Sequence, residues 1–471
     1  MTLSISEGLR RSYPQGPVAS ALIGYVGELS EKDLAKYQKD QPGRYVLGDS
    51  AGAAGLEKYG ESFLKGQDGF DNKIIDAVGR EVPHNEFSSF LKGEEAHHGN
   101  NLVLTIDGPL QKFAEERFQG KTGSLVAVDP NTGDILAMVS LPSFDPTKLV
   151  ANISHDYWAT LVTDPRHLLL NRAIQGTYPP GSTFKIVTSI AALEEGVIKP
   201  DETLSCRGGL NYGGRLFHCW RKGGHGAISI RRAIAESCDT FYYQMGLRLG
   251  VDRIAKYAKM LGLGQKTGIE LEGEKGGTIP SSEWKLKYFK EPWQPGENLS
   301  IAVGQGYDTE TPLQNAMMVA QVATGLKIRP RLFKTIENED GENIREGKEI
   351  LPEKLPISEA TLAIVREGMA GVTLPGGTAQ GSHSQWVTMA GKTGTAQVIS
   401  EEGKSRTLGS HAQGMNTGDH AWFVVYAPVE KPQIAVAVLV EHGGFGASAA
   451  APIAKDVIEK YLKVGGVKNE N

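Results

Sequence analysis

Two pairs of apolar runs, far apart along the chain, most constrain its fold. Leu125-Val126-Ala127-Val128 and Ile135-Leu136-Ala137-Met138-Val139 flank the turn residues Asp129-Pro130-Asn131-Thr132-Gly133-Asp134. Trp422-Phe423-Val424-Val425-Tyr426 and Ile434-Ala435-Val436-Ala437-Val438-Leu439-Val440 flank Pro428 and Pro432. Each pair reads as two strands joined by a turn. The region between them reads as helical at 182–195, 228–236 and 239–249, and a further helix follows Pro452. Strands first, helices between and strands last predict an α+β fold, with one antiparallel sheet built from both ends and a helical insert.

The chain has 471 residues, enough for two or three domains. Residues 1–100 are rich in Gly, Lys and Glu and carry a weak core signal, so a boundary is expected near residue 100, with a second domain over 101–471. In the first part, 22–27 reads as a strand ended by glycine, and Ser30 reads as the cap of a helix with acids in its first turn. At the boundary, 102–106 reads as a strand and Asp107 as the cap of the next helix. The net charge of −5, with acids and bases mixed, excludes a nucleic-acid surface. No run approaches the roughly 18 apolar residues of a membrane span, and the N-terminus has no signal-peptide core. The chain as given is expected to be soluble, either naturally or because an anchor lies outside it.

The chemistry starts at Tyr178-Pro179-Pro180-Gly181-Ser182-Thr183-Phe184-Lys185. Prolines cannot be helix interior, so they force a turn that puts Ser182 at a helix start. Unpaired N–H groups there favour developing negative charge. Three positions on, Lys185 shares a helix face with Ser182. The apolar side of that helix (Ile186, Val187, Ile190, Ala191, Leu193) predicts burial, which favours a neutral amine able to take the serine's proton. One such pair recurs by chance as a surface serine and a solvated lysine. Two later segments change that reading. Ser237-Cys238-Asp239 offers a hydroxyl to relay a proton and a carboxylate to accept from Lys185 or a substrate amide; it also reads as an ordinary helix cap. Lys392-Thr393-Gly394-Thr395 reads as a strand edge. There Lys392 and Thr393 would meet a substrate carboxylate, Gly394 would leave room for substrate backbone, and the Thr395 and Ser182 N–H groups would form an oxyanion hole. These three segments, in this order, are a known signature of penicillin-recognising serine acyl-enzymes.

The chain resembles the class B penicillin-binding proteins, and within them the elongation-type penicillin-binding protein 2 branch. Further matching segments are Arg11–Pro14, Leu104–Asp107 with Leu110-Gln111, Asn171-Arg172-Ala173, Val303–Tyr307, Thr311–Gln314 and Gly377-Thr378-Ala379. The resemblance covers nearly the whole chain. It implies a penicillin-binding transpeptidase domain on a non-catalytic N-terminal pedestal, acting on peptidoglycan stem peptides and acylated by β-lactams. It also implies an N-terminal anchor, exposure on the periplasmic face of the bacterial inner membrane, and a membrane-embedded SEDS-family glycosyltransferase partner within the elongation complex. Against that resemblance, the anchor and the first part of the pedestal are expected to lie outside the sequence as given, and Asp239 stands where many relatives have Asn. Two other readings use the same site: a D,D-carboxypeptidase or β-lactamase-like hydrolase with water as acceptor, and a non-catalytic penicillin-binding scaffold.

A glycine-rich insert at about 200–238 holds every cysteine: Cys206, Cys219 and Cys238, with His225 among them. The intervening stretches are twelve, five and twelve residues long. Three thiolates and an imidazole make a closed tetrahedral set for structural Zn²⁺, although the spacing matches no standard finger. A Cys206–Cys219 disulfide, or three unconnected core cysteines, are the alternatives. Catalysis itself calls for no cofactor.

Overall fold

The computed structural model describes residues 10–40, 43–70, 72, 74–78, 80, 93–150, 153–347, 352–397 and 418–464. A five-stranded sheet lies at its centre. In chain order the strands are β1 (Gly123–Val128), β2 (Ile135–Leu141), β3 (Ala390–Ala396), β4 (His420–Ala427) and β5 (Ile434–Val440). They lie side by side as β3-β4-β5-β1-β2, every neighbouring pair antiparallel. The two ends of the region join where β5 meets β1, with Ala437 opposite Val126 and Val438 opposite Leu125. This is the sheet expected from the flanking hairpins.

Both faces of the sheet are covered, so β1 and β5 are buried along their whole length and show no polar alternation. The two-residue period sorts their side chains between two cores. Val126, Val128, Ala435 and Ala437 face the helices of the insert. Leu125, Ala127, Val436 and Val438 face α1 (Gly108–Glu116) and the closing helix α5 (Ala451–Tyr461). The insert supplies α2 (Lys185–Glu194), α3 (Asp239–Leu249) and α4 (Pro312–Thr324). Helix α4 is buried on every side from Pro312 to Ala323. Its ends are written in the sequence: a Thr311–Gln314 capping box, Pro312 in the first turn, and Gly325 in the left-handed region (φ 74°) after the last.

Several local expectations shift. The stretch 22–27 is not one strand: Ser20–Ile23 is a helical turn, and the strand runs Tyr25–Glu28. Gly24 sits between them at φ 83°, where an added Cβ would lie 1.9 Å from Ala54 O. Ser30 caps Glu31–Asp40 by accepting from Asp33 N at 3.2 Å, and Asp107 caps α1 by accepting from Leu110 N at 2.9 Å. The boundary strand is Asn101–Leu104, and it pairs with Phe333–Glu337. In the glycine-rich insert, Thr203–Cys206 pairs with Gly226–Ser229 and Gly209–Tyr212 with Arg215–His218. The helix expected from Ile228 therefore starts only at Ile230.

Candidate active site

Gly181–Phe184 forms a 3₁₀ turn that leads directly into α2. The turn is pinned from several sides. Gly181 N donates to Gly304 O (2.8 Å), and Trp422 Nε1 on β4 donates to Pro179 O (3.0 Å). Tyr178 OH donates to Glu441 Oε1 (2.6 Å), which also accepts from the buried Arg172 Nε (2.8 Å). Gly181 lies at φ 54°, and a Cβ there would stand 2.5 Å from Thr395 O. Only glycine lets the serine's turn sit so close to β3.

Four predicted side chains meet beside this turn. Lys185, wholly buried, donates to Asp239 Oδ1 (2.6 Å), Ser237 O (3.0 Å) and Ser237 Oγ (3.2 Å). Lys392, also wholly buried, donates to the same Ser237 Oγ (2.9 Å) and to Thr393 O (3.0 Å). Ser237 thus bridges two amines. It does so at φ 56°, a left-handed conformation that a non-glycine residue adopts only when its surroundings hold it there. Burial first, and the Lys185 charge second, push the Lys392 amine well below the usual lysine range, while Asp239 pulls it back up. Among the described residues no hydrogen bond joins Ser182 Oγ to Lys185, whose bonds all go to Ser237 and Asp239.

Two members of the strand segment differ from expectation. Lys392 points inward to Ser237 and does not project from the strand edge toward a substrate carboxylate. The space at Gly394 is taken by the protein itself: a Cβ there would meet Pro180 O at 2.9 Å, Trp422 Cβ at 2.9 Å and Thr183 Cγ2 at 3.0 Å. Gly394 lets β3 approach the serine's turn. Thr393 Oγ1 pairs with Thr378 Oγ1 (2.7 Å), and Thr395 O accepts from Gln305 Nε2 (3.2 Å). Thr378 and Gln305 lie in segments that match the family, and nothing in their local sequence signals these contacts.

Cys206, Cys219, His225 and Cys238 converge, each buried, with their four donor atoms all within 4.8 Å of one another. His225 Nδ1 lies 3.5 Å from both Cys206 Sγ and Cys219 Sγ, and the three cysteines are free. A tetrahedral zinc with about 2.3 Å bonds to sulfur needs ligand atoms roughly 3.8 Å apart, so the donor set fits that ion in number, chemistry and size. Trp220, next to Cys219, was missed in the sequence. Its N–H donates to Asp239 Oδ2 (2.9 Å), and its indole donates to Glu236 O (3.0 Å). The cluster therefore grips the catalytic turn at Cys238 and at Asp239.

Residues 123–459 match the penicillin-binding protein transpeptidase domain, and residues 2–104 match the penicillin-binding protein dimerisation domain. The chain is 36% identical over 469 residues to a peptidoglycan D,D-transpeptidase MrdA of Haemophilus influenzae, covering 98% of this chain and 70% of that protein. It superimposes on the crystal structure of Pseudomonas aeruginosa PBP2 in complex with WCK 5153 with a TM-score of 0.82 at 35% identity, over 98% of this chain and 92% of the other. PBP2 from Helicobacter pylori in complex with MreC gives a TM-score of 0.82 at 31% identity, over 97% and 79%. The chain belongs to the penicillin-binding transpeptidase family. This penicillin-binding protein is a serine-type transpeptidase with the α+β fold expected from its strand and helix order, and the motifs that first suggested the family lie around one turn.

Proposed function

We propose that the chain cross-links peptidoglycan stem peptides during cell-wall elongation, with Ser182 as the nucleophile. The supporting observation is the continuous chain Asp239–Lys185–Ser237–Lys392 set beside the serine's turn. Ser182 Oγ attacks the carbonyl of the donor's D-Ala–D-Ala bond while Lys185 Nζ takes its proton. Lys392, kept short of a proton by burial, is reached from Lys185 through Ser237 Oγ, which gives a route for clearing Lys185 before attack. The N–H groups of Ser182 and Thr395 hold the oxyanion. The C–N bond then breaks, and the terminal D-Ala amine leaves with a proton returned through Lys185 and Ser237. The amine of a neighbouring stem peptide attacks the ester, gives up a proton by the same route and releases Ser182. Thr393 and Thr395 hold the donor's carboxylate, and its arriving charge favours the ammonium form of Lys392. β-Lactams resemble the donor and stop at the ester.

Cys206, Cys219, His225 and Cys238 would hold a structural Zn²⁺, which supplies no step of the reaction and ties the glycine-rich insert to Ser237 and Asp239. The pedestal occupies 1–100 and the transpeptidase domain 101–471. By resemblance, the enzyme works on the periplasmic face of the inner membrane, tethered by an N-terminal anchor outside this sequence. Its partners there are a SEDS-family glycosyltransferase and the elongation complex; among the described residues no helix is long and apolar enough to cross a membrane.

Intact-protein mass spectrometry with benzylpenicillin tests the reading. One slowly released adduct, mapped to Ser182 and absent from Ser182→Ala, is the expected result. An adduct elsewhere removes the proposed nucleophile, and rapid penicillin turnover makes the chain a β-lactamase.

A further inference from the structure

The segment before α4 buries a charge problem that the transpeptidase site does not use. Asp308, Glu310 and Asn315 are all fully buried. None of their six polar side-chain atoms has a hydrogen-bond partner: both oxygens of Asp308, both of Glu310, and Oδ1 and Nδ2 of Asn315. The backbone of Thr309 and Glu310 is committed to neighbouring segments. Glu310 exchanges both backbone bonds with Tyr178 at 2.9 Å, and Thr309 exchanges both with Thr278 at 2.8 and 2.9 Å. Asp308 and Glu310, two apart in this extended segment, lie on the same side of it.

Such a group of atoms is not left bare in a protein interior. No lysine or arginine is among the groups that act on either carboxyl. Burial pushes both carboxyls up, Glu310 to about 8, and the neighbouring Asn315 amide is the group that pulls Glu310 back. That pull is the action of an amide N–H near Glu310, which leaves the Asn315 oxygen buried and without a partner. Two carboxylates and an amide oxygen, with no nitrogen or sulfur donor, suit a hard cation of double charge.

We propose that Asp308, Glu310 and Asn315 form a binding site for a hard divalent cation, calcium or magnesium, in the core behind the nucleophile's turn. The ion neutralises the two carboxylates and completes its shell with the Asn315 oxygen and water. Through the Glu310–Tyr178 backbone pair it fixes the strand that leads to Ser182, four residues on. This site shares no residue with the cysteine–histidine cluster.

The test uses the whole chain in two measurements. Elemental analysis of the purified protein counts calcium and magnesium, and thermal melting is then followed in dialysed protein with and without millimolar CaCl₂ or MgCl₂. Either a stoichiometric ion in the purified protein or a rise in melting temperature of about 5 °C is expected for wild type. Neither is expected for Asp308→Asn/Glu310→Gln, an isosteric change that removes both charges. Should that double variant not fold, Glu310→Gln alone takes its place, with at least a tenfold weaker cation response expected. Wild-type protein with no bound ion and no response to either salt overturns the site. So does a variant that responds as wild type does, because the ion then binds elsewhere. Carboxyls kept neutral by protons alone would give a third pattern, which also rejects the ion. The folded state would hold protons that the unfolded chain has lost, so the melting temperature would fall as pH rises from about 5 towards 8, with no cation effect.

Discussion

Lys185 Nζ lies 2.6 Å from Asp239 Oδ1 with the lysine wholly buried, and the other Asp239 oxygen is held by Trp220 N–H at 2.9 Å. The acid is fixed from both sides, so its charge is part of the lysine's setting and not an incidental helix cap. Asp239→Asn keeps an acceptor for Lys185 but removes the counter-charge. A hydrogen bond to a charged group contributes about 1.5–3 kcal/mol, so acylation by a fluorescent penicillin should slow by roughly tenfold to a hundredfold. Asp239→Ala, which leaves a buried amine unpaired, should also lose about 3–5 kcal/mol of stability. An Asp239→Asn protein that acylates at the wild-type rate would show that Lys185 works without the carboxylate.

Ser237 separates stability from chemistry. Its φ of 56° is unfavourable for serine and free for glycine. Ser237→Gly should therefore match or exceed wild type in denaturant stability, by up to about 1 kcal/mol. It also deletes the hydroxyl that bridges Lys185 and Lys392, so acylation should fall by about a hundredfold. Ser237→Ala deletes the hydroxyl but keeps the strained backbone, so it should be equally slow and less stable than the glycine variant. If both variants acylate normally, the bridge is not a proton route.

The cysteine–histidine cluster should be found loaded with one zinc per chain when the protein is purified under reducing conditions without chelator. Cys219→Ser should lose the metal. Because Trp220 follows Cys219 and holds Asp239, the variant should also acylate at least tenfold more slowly. The emission of the exposed Trp220 indole should shift as its bond to Glu236 O is released. Metal-free wild-type protein with normal acylation would make the four residues ordinary core.

Much of this site could be read in the sequence because its parts are local. A Pro-Pro-Gly turn before Ser182, the three-residue step to Lys185 and the cap at Asp107 each depend on a few neighbouring residues. The antiparallel sheet was legible because β1, β2, β4 and β5 are short apolar runs with turn residues between them. What could not be read is where a side chain points when its partner is distant. Lys392 read as a direct partner for a substrate carboxylate, yet it turns inward to a serine 155 residues earlier. Gly394 looked like space for a substrate, yet Pro180 and Thr183 of the serine's own turn occupy that space. Trp220 gave no signal because its contact to Asp239 is made by its backbone N–H, which every residue but proline carries. The break at Gly24 is hidden for a similar reason: the Ala54 carbonyl that excludes a side chain there comes from 30 residues on, at the end of the strand Ser50–Ala54.

Lys392 gives the site a pH signature with a definite sign. Burial, and then the Lys185 charge, lower its folded-state affinity for a proton well below that of an ordinary lysine, whereas in the unfolded chain it titrates near about 10.4. Between those two limits the unfolded state holds the extra proton, so this residue makes folding stability rise with pH, by at most about 1.4 kcal/mol per pH unit. Lys392→Met should flatten that rise in denaturant titrations from neutral pH towards 10. The same imbalance predicts proton uptake on binding. A donor or β-lactam carboxylate arriving at Thr393 and Thr395 brings negative charge close to the buried amine and favours its ammonium form. Calorimetry of a penicillin binding to Ser182→Ala, in two buffers of different ionisation enthalpy, should report net uptake of up to one proton at pH 8. Binding with no proton exchange there would mean that Lys392 is already charged in the empty site and that the proton route through Ser237 starts elsewhere.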